Sequence, residues 1–431
     1  VNQESETEAL LRAIPPPVLE LAQTLRDKGH RTWAVGGSVR DIVLAHSQGQ
    51  ALDFRGDWDI ATDARPEQVK KAFKKVIPTG ILHGTVTVLL GSAALEVTTL
   101  RGERGHSDGR RPDEVFFVDD LVADLARRDF TVNAMAFDLA THQLEDPFGG
   151  RADLQARIIR AVGDAKLRYF EDGLRPLRGA RFSAQLEMEL ESETQRAIRP
   201  SLERFRLVSK ERVKDEWFKA LKSKKPSRFL RIIWSEGLLG ATLPEISLPV
   251  PGASDFDLER TLQIVDQAEA EPIRRLAHFL SPLVRLQFET EAAREDAAFN
   301  VGQALRLSNK ERDHLTQYVR AFELPSADAP SQRRYLARLG RDFGPLALAA
   351  LKEHGADDAQ RSQLQQELES GAPLAPKELS ISGQTLVQAG HKPGRELGRL
   401  LEALFQVVLD DPSQNRPELL LERAASIAAK S

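Results

Sequence analysis

The chain has no cysteine in its 431 residues, so neither a disulfide framework nor a thiolate metal site is available to it. No apolar run approaches a membrane span, and the opening VNQESETEALLRAI lacks the make-up of a signal peptide. A cytoplasmic protein is the expectation. The nine histidines are scattered and none precedes an aspartate, and neither an internal repeat nor a low-complexity tract occurs. Net charge is nearly missing as well: 60 Lys and Arg face 64 Asp and Glu, leaving −4. What is present is length for about three domains and enough apolar residues, 41%, to bury several cores.

The small net charge hides an uneven distribution. Residues 196–231 carry thirteen Lys or Arg against four Asp or Glu, a local +9. Such a segment can neutralise phosphates along an RNA backbone. Phe205, Trp217 and Phe229 are interleaved with the basic residues and are expected in the core. Lys222, Lys224, Lys225 and Arg228 have no acidic neighbour in sequence and are expected to contact RNA.

The chemistry is concentrated in WAVGGSVRD, DWDIATD and VIPTGILHGTVTVLLGSAALEVTTLRGERG. Residues two apart on a strand share a face, so Asp57 and Asp59 project together while Trp58 and Ile60 turn inward. Two carboxylates that close repel unless a cation sits between them, and a pair of Mg²⁺ ions roughly 3.5–4 Å apart is a common reason to build such a site for phosphoryl transfer. A solvated turn is the plainer alternative for DWD alone. Upstream, Gly36 and Gly37 fall between the short apolar strand Trp33 to Val35 and an amphipathic stretch from Val39 to Leu44. Glycines at a strand-to-helix turn let backbone N–H groups approach phosphates, and Arg40 can fork onto the same oxygens. Thr85 to Leu90 and Ala94 to Leu100 read as a hairpin across Gly91-Ser92-Ala93, with Glu96 in its second strand as the expected third acid of the metal site. The alternative for Glu96 is a charge that protects a sheet edge.

GGSVRD, DWDIATDA, VIPTGILHGTVTV, RRDFTVNAMAFD, DPFGGRADLQARIIRAV, EDGLRPLRGARF and ERVKDEW, in this order, resemble the bacterial class II tRNA nucleotidyltransferases, the CCA-adding enzymes of the polymerase-β superfamily. Bacterial poly(A) polymerase is the near relative of that family. The resemblance covers residues 20–245 strongly, and ISGQTLVQAGHKPGRELGRLLEALFQVVLDDP is similar to the family's tail. It implies that Gly36, Gly37 and Arg40 form the phosphate-binding turn, that Asp57 and Asp59 bind Mg²⁺ with Glu96 as a third acid, and that Arg127, Arg128, Asp129 and Asn133 contact ribose and triphosphate. RRDFTVNA itself reads as a charged turn entering a packed helix.

By the same resemblance, Glu171, Asp172 and Arg175 are a protein template for the incoming base. Placed on one helix, Asp172 and Arg175 would share a face, and an Asp acceptor with an Arg donor can pair with the Watson–Crick edges of cytosine and adenine. Arg178 would continue that face. An intrahelical ion pair is the alternative from spacing alone. The turn-prone RGERGHSDGRRPDEV, with Gly102, Gly105, Gly109 and Pro112, argues against regular structure there. In the family this position holds a flexible loop that helps the shift from cytidine to adenosine addition and is much reduced in CC-only members. The stretch between Asp41 and Asp57 is longer than the family pattern and carries an extra acid, Asp53. No HD phosphohydrolase domain, found in some relatives, is signalled.

The expected fold class is α+β: a polymerase-β-like head with a small mixed sheet, then an all-α neck, body and tail. The borders read as 1–24 for a leader and a helix stopped by Gly29, 25–150 for the nucleotidyltransferase head, 151–220 for a neck that recognises the base, 221–355 for a tRNA-binding body and 356–431 for a tRNA-binding tail. DDAQRSQLQQELESGAPLAPKELS is the expected linker before the tail. The expected activity is template-independent extension of tRNA 3′ ends with CCA from CTP and ATP, with Mg²⁺ as cofactor and pyrophosphate released. An A-adding enzyme beside a separate CC-adding partner and a poly(A) polymerase are same-class alternatives, and a non-catalytic RNA-binding relative is the different-class one. VIPTGILHGTVTV favours the CCA-adding version, because poly(A) polymerases tend to have an arginine-rich segment there.

Overall fold

The structure, a computed structural model, describes residues 5–50, 54, 56–104, 114–246 and 256–429. The longer stretch before Asp57 with Asp53, and the centre of the glycine-rich segment after Arg104, lie largely outside them. Two compact units divide the chain, Val1–Pro244 and Glu245–Ser431. The expected border between neck and body at 220 falls inside the first unit, where helices Lys210–Leu221 and Pro226–Ser235 both pack on Arg175–Leu186.

The first unit is built on a seven-stranded mixed sheet. β1 (Thr32–Val35), β2 (Asp59–Thr62), β3 (Val76–Gly80), β4 (Thr85–Leu90) and β5 (Ala93–Thr99) lie in the order β3-β4-β5-β2-β1, followed by Ala136–Asp138 and Leu144–Glu145. β2 runs parallel to β5, whereas β1 is antiparallel to both its neighbours. All four residues of β1 are buried, as a central strand covered on both faces requires. Trp33, Val35, Ala61, Leu100, Leu121 and Leu125 share one cluster beneath it. The alternation expected around DWD holds, since Trp58 and Ile60 are buried while Asp57 and Asp59 face outward. The hairpin is tighter than expected: Leu90 pairs with Ala93 across Gly91-Ser92, with Gly91 at positive φ.

Several expectations are corrected. The leader is helical, Glu6–Ala13, closed by a Ser5/Glu8 capping box, and the next helix, Pro16–Arg26, crosses the expected border at 24. Both ends of RGERGHSDGRRPDEV are regular, because Arg101–Arg104 pairs antiparallel with Glu114–Phe117. Gly102 breaks nothing there: a Cβ on it would stand 2.5 Å from the Phe116 ring, so the glycine makes room for an aromatic across the ladder. RRDFTVNA enters not a long helix but one 3₁₀ turn, Thr131–Asn133, followed by the strand Ala136–Asp138. The neck is not wholly helical either, since Ile158–Ile159 pairs in parallel with Glu189–Leu190.

The described part of the second unit is helical, from Leu258–Gln267 to Pro417–Ala428. The expected linker is in fact helix Asp358–Glu369, because Leu364 and Leu368, four apart, are both buried. Ala372, Leu374 and Leu379 after it are buried as well. Leu386, Leu404, Phe405, Val408 and Leu420 form the core of the last helices. No helix among the described residues is long and apolar enough to cross a membrane.

Candidate active site

Sheet register brings the acids together. Val35 pairs with Asp59 and Asp59 with Glu96, so the end of β1, the start of β2 and the middle of β5 meet at one point. β1 ends there at Gly36, whose φ of 77° and ψ of −135° suit glycine alone, and the helix Gly37–Ser47 begins at the next residue. A Cβ on Gly36 would lie 3.3 Å from Asp59 Oδ2 and 3.5 Å from Arg128 Nη1. The glycine therefore sits where an acid, an arginine and a helix N-terminus converge.

Every acid, glycine, arginine and asparagine expected in the nucleotide site, except Asp57 and Glu171, lines one cavity of about 560 Å³. Asp57 stands at its edge, near enough for its charge to raise the pKa of both Asp59 and Glu96. For each of these two, partial burial is the larger cause of the rise. Asp59 adds to the rise at Glu96, while Arg128 opposes the one at Asp59. Among the described residues no three acidic or imidazole side chains close into a ready-made metal cage. The donor set nevertheless suits a hard divalent cation: carboxylate oxygens whose mutual repulsion a cation would relieve.

The arginines opposite are held from behind. Asp124, with its side chain 2% exposed, accepts from Arg127 Nη2 at 2.7 Å and from the Arg101 N–H at 3.2 Å, and its other oxygen stands 3.4 Å from Arg128 Nη2. Its pKa is lowered although burial, the largest influence, acts to raise it, because Arg127 and Arg128 outweigh burial. Arg40, only 5% exposed, donates to Asp41 Oδ1 at 2.8 Å and to Asn133 Oδ1 at 2.7 Å. Asn133 in turn donates to Asp129 Oδ1 at 3.1 Å. Arg178 Nη2 reaches Asp129 Oδ2 at 2.6 Å. Burial alone would raise the Asp129 pKa, yet it lies far below the carboxylate range because Arg178, Asn133 and Arg175 favour the charged form.

Asp172 and Arg175 are not on one helix. Asp172 ends Ala165–Glu171 in extended conformation and Arg175 opens Arg175–Leu186. The turn between them is fixed by two bonds to Asp172: the Leu174 N–H donates to Oδ1 at 3.0 Å and the Arg175 N–H to the carbonyl at 3.0 Å. They do not pair with each other. Arg212, from the helix Lys210–Leu221, forks onto both Asp172 oxygens at 3.2 and 2.6 Å. Arg175 donates to Glu171 Oε2 at 2.7 Å and to the Arg127 carbonyl at 2.8 Å. Both side chains still border the cavity.

Sequence reasoning missed Arg101, Arg181, Phe182 and Gln185 in the lining, and Arg212 and Glu216 behind it. Spacing could have found part of this set, because Arg175, Arg178, Phe182 and Gln185 recur every three or four residues along one helix face. Arg181 stacks 3.7 Å above the Phe182 ring and pairs with buried Glu216. The basic cluster lies apart from the cavity lining. Lys222, Lys224 and Lys225 are exposed. Arg228 is the exception to its expected lack of an acid, as it pairs with Glu189, delivered by the Ile158–Ile159/Glu189–Leu190 strands. Phe205, Trp217 and Phe229 are core as expected, the last two packed edge-to-face at 5.2 Å.

Known proteins match along most of the chain. Residues 32–160 match the "Poly A polymerase head domain", 187–248 the "Probable RNA and SrmB- binding site of polymerase A" and 286–424 the "tRNA nucleotidyltransferase domain 2" family. A CCA-adding enzyme of Lactobacillus helveticus is 35% identical over 94% of this chain and 94% of its own. One from Lactobacillus delbrueckii subsp. bulgaricus is 36% identical over 96% and 98%. The crystal structure of the Bacillus stearothermophilus CCA-adding enzyme in complex with CTP superposes with TM-score 0.72 at 29% identity, over 97% of this chain and all of that one. The Thermotoga maritima CCA-adding enzyme complexed with tRNA shares the fold, with TM-score 0.62 at 19% identity. With the cavity, the paired EDGLR residues and near-complete coverage of these relatives in agreement, the chain belongs to the family of CCA-adding enzymes, tRNA nucleotidyltransferases with a poly(A) polymerase head.

Proposed function

We propose that the protein extends tRNA 3′ ends with CCA from CTP and ATP, releasing pyrophosphate, and that it does so in the cytoplasm. The carrying observation is that one cavity joins the carboxylates of the sheet to Asp172, Arg175 and Arg178. A nucleoside triphosphate spans such a space, with phosphates at the acids and base at the helical end. Relatives named CCA-adding enzymes support the reading, as does a related structure holding CTP.

The residues divide the work. The Gly37–Ser47 helix N-terminus and Arg128 would receive the triphosphate, with Arg40 and Arg127 completing the positive side and Asp129 and Asn133 setting their geometry. Asp57 and Asp59 would hold Mg²⁺ with Glu96 beside them. Bound there, the metal supplies the charge that lowers the pKa of the tRNA 3′-hydroxyl and stabilises the departing pyrophosphate. Asp172 would accept from, and Arg175 donate to, the Watson–Crick edge of cytosine or adenine, so protein replaces a nucleic-acid template. Lys222, Lys224 and Lys225 are proposed to meet RNA phosphates, with residues 221–355 and 356–431 as the further tRNA-binding regions.

The test uses tRNAs lacking three, two or one of the terminal nucleotides, each offered CTP or ATP alone. A CCA-adding enzyme extends the first two with CTP and only the last with ATP. Addition of A alone to the last substrate would indicate an A-adding enzyme, and unlimited A tails on any RNA would indicate a poly(A) polymerase.

A further inference from the structure

The second unit contains a cavity of about 400 Å³ that the proposed reaction does not use. It is formed by the first turn of helix Leu258–Gln267, the later part of Pro272–Gln287 and His354 at the end of Gly344–His354. Its charged lining is unbalanced. Arg260 and Arg285 border it together with His278 and His354, against one acid, Asp257. That acid is already engaged, because its side chain caps the helix by accepting from the Arg260 N–H at 2.9 Å.

Glu353 does not offset the arginines, since it forms an ion pair with Arg274, whose Nε stands 2.7 Å away, and lies 3.1 Å from His278 Nε2. His278 and His354 meet Nδ1 to Nδ1 at 3.2 Å, an arrangement that needs one ring to donate and the other to accept. Burial, the largest cause, and then the charges of His278, Arg285 and Arg260 push the His354 pKa down to about 4. Arg285 donates one Nη2 bond to the Phe322 carbonyl at 2.8 Å. The Arg260 guanidinium has no ion-pair partner among the described residues. Ile264, Pro282 and Leu286, the last 48% exposed, add an apolar wall.

We propose that this cavity is a phosphate subsite in which Arg260 and Arg285 bind one phosphate of the tRNA backbone while the apolar wall receives the adjoining ribose or base. Two uncompensated guanidinium groups beside a helix N-terminus are suited to a phosphate anion, and an arginine left without a partner keeps its full donor set for it. A free nucleotide offers the same phosphate chemistry, and the experiment separates the two sources. The tRNA assignment rests on the proposed function; the phosphate site does not.

The test compares full-length wild type with Arg260→Glu and with Arg285→Gln, Arg260→Glu being the cleaner variant because Arg285 also gives up its bond to the Phe322 carbonyl. Labelled tRNA binding is measured across KCl concentrations, and CTP and ATP stoichiometry is measured without tRNA. The expected result is weaker tRNA binding and a log–log salt slope reduced by about 0.7–0.9, with turnover at saturating tRNA retained. An unchanged slope with loss of a second bound nucleotide in the variants would keep the phosphate site but overturn its RNA assignment. Unchanged slope and unchanged stoichiometry would overturn the site altogether. Absence of nucleotide addition by the wild type would instead refute the proposed reaction, and the binding curves would still report on the cavity.

Discussion

The two ends of the reaction cavity meet their charges in opposite ways. At the sheet end, burial and neighbouring acids make Asp59 and Glu96 harder to ionise, and Arg128 is the cation that eases this for Asp59. At the helical end each charged group has a partner: Asp172 has Arg212, Arg175 has Glu171, Arg178 has Asp129 and Arg181 has Glu216. The acids of the first end are short of positive charge and are suited to acquire it with the metal. The second is complete beforehand, so its donors and acceptors keep fixed directions, which selection by hydrogen-bond geometry requires.

Breaking the sheet end should have the larger effect. Asp59→Ala is expected to lower nucleotide incorporation by at least about 10²–10³-fold, the scale seen when a single preorganised hydrogen-bond donor is removed from a reacting centre, with tRNA binding nearly intact. Single-turnover incorporation and filter binding check both parts, and activity within a few-fold of wild type would refute the metal assignment. Chelation should silence the wild type likewise, with Mg²⁺ restoring it. Gly36→Ala acts on the same end through the backbone. Its conformation costs a non-glycine residue about 1–3 kcal/mol, and the added methyl presses on Asp59 Oδ2 from 3.3 Å. Incorporation should fall about tenfold or more; wild-type kcat/KM would show that Gly36 is only a turn.

The contrast between the ends also separates what the sequence displayed from what it hid. The sheet end was legible because its determinants are local: the two-residue period put Asp57 and Asp59 on one side of Trp58 and Ile60, and a glycine pair marked the strand-to-helix turn. The helical end was legible only as a set of residues. Spacing suggested that Asp172 and Arg175 share a helix, whereas Leu174 and Arg175 N–H groups bond back to Asp172 and break the helix between them. Their true partners were hidden for another reason: Arg212 lies 40 residues from Asp172, and pairing over such a separation is decided by helix packing. The pairing of Arg228 with Glu189 escaped in the same way, being made by a parallel strand pair in a segment read as helical. The expected linker misled because its polar residues outnumber the few apolar ones, Leu364 and Leu368 on the helix and Ala372, Leu374 and Leu379 after it, that decide its burial.

At the helical end, loss of one partner should change selection before it changes chemistry. Asp172→Ala is expected to relax discrimination against UTP and GTP by about 1–3 kcal/mol, the cost of one or two hydrogen bonds. Arg212→Gln should produce a smaller shift in the same direction, since it leaves Asp172 in place but frees it to rotate. Arg175→Ala is the less selective probe, because it also takes a donor from half-buried Glu171 and from the Arg127 carbonyl and should lower thermal stability. Incorporation ratios for the four nucleotides decide the matter. Equal loss with all four would make these pairs structural, and retained selectivity in Asp172→Ala would remove the template role.

The smallest effects belong outside the cavity, where the same pairing contrast recurs among the basic residues after Leu221. Lys222 and Lys224 are exposed, whereas Arg228 is tied to Glu189. Replacing both lysines with Glu should weaken tRNA binding and flatten its log–log salt dependence by about 0.7–0.9 for each phosphate they neutralise, with nucleotide KM unchanged. Arg228→Glu should act differently, setting like charges together at Glu189 and costing at most about 1 kcal/mol of stability, because that pair is partly solvated. Thermal melts and salt-dependent binding distinguish the two behaviours. If the lysine variant leaves the slope unchanged, those side chains are a solvated face, and RNA affinity must come from elsewhere in the chain.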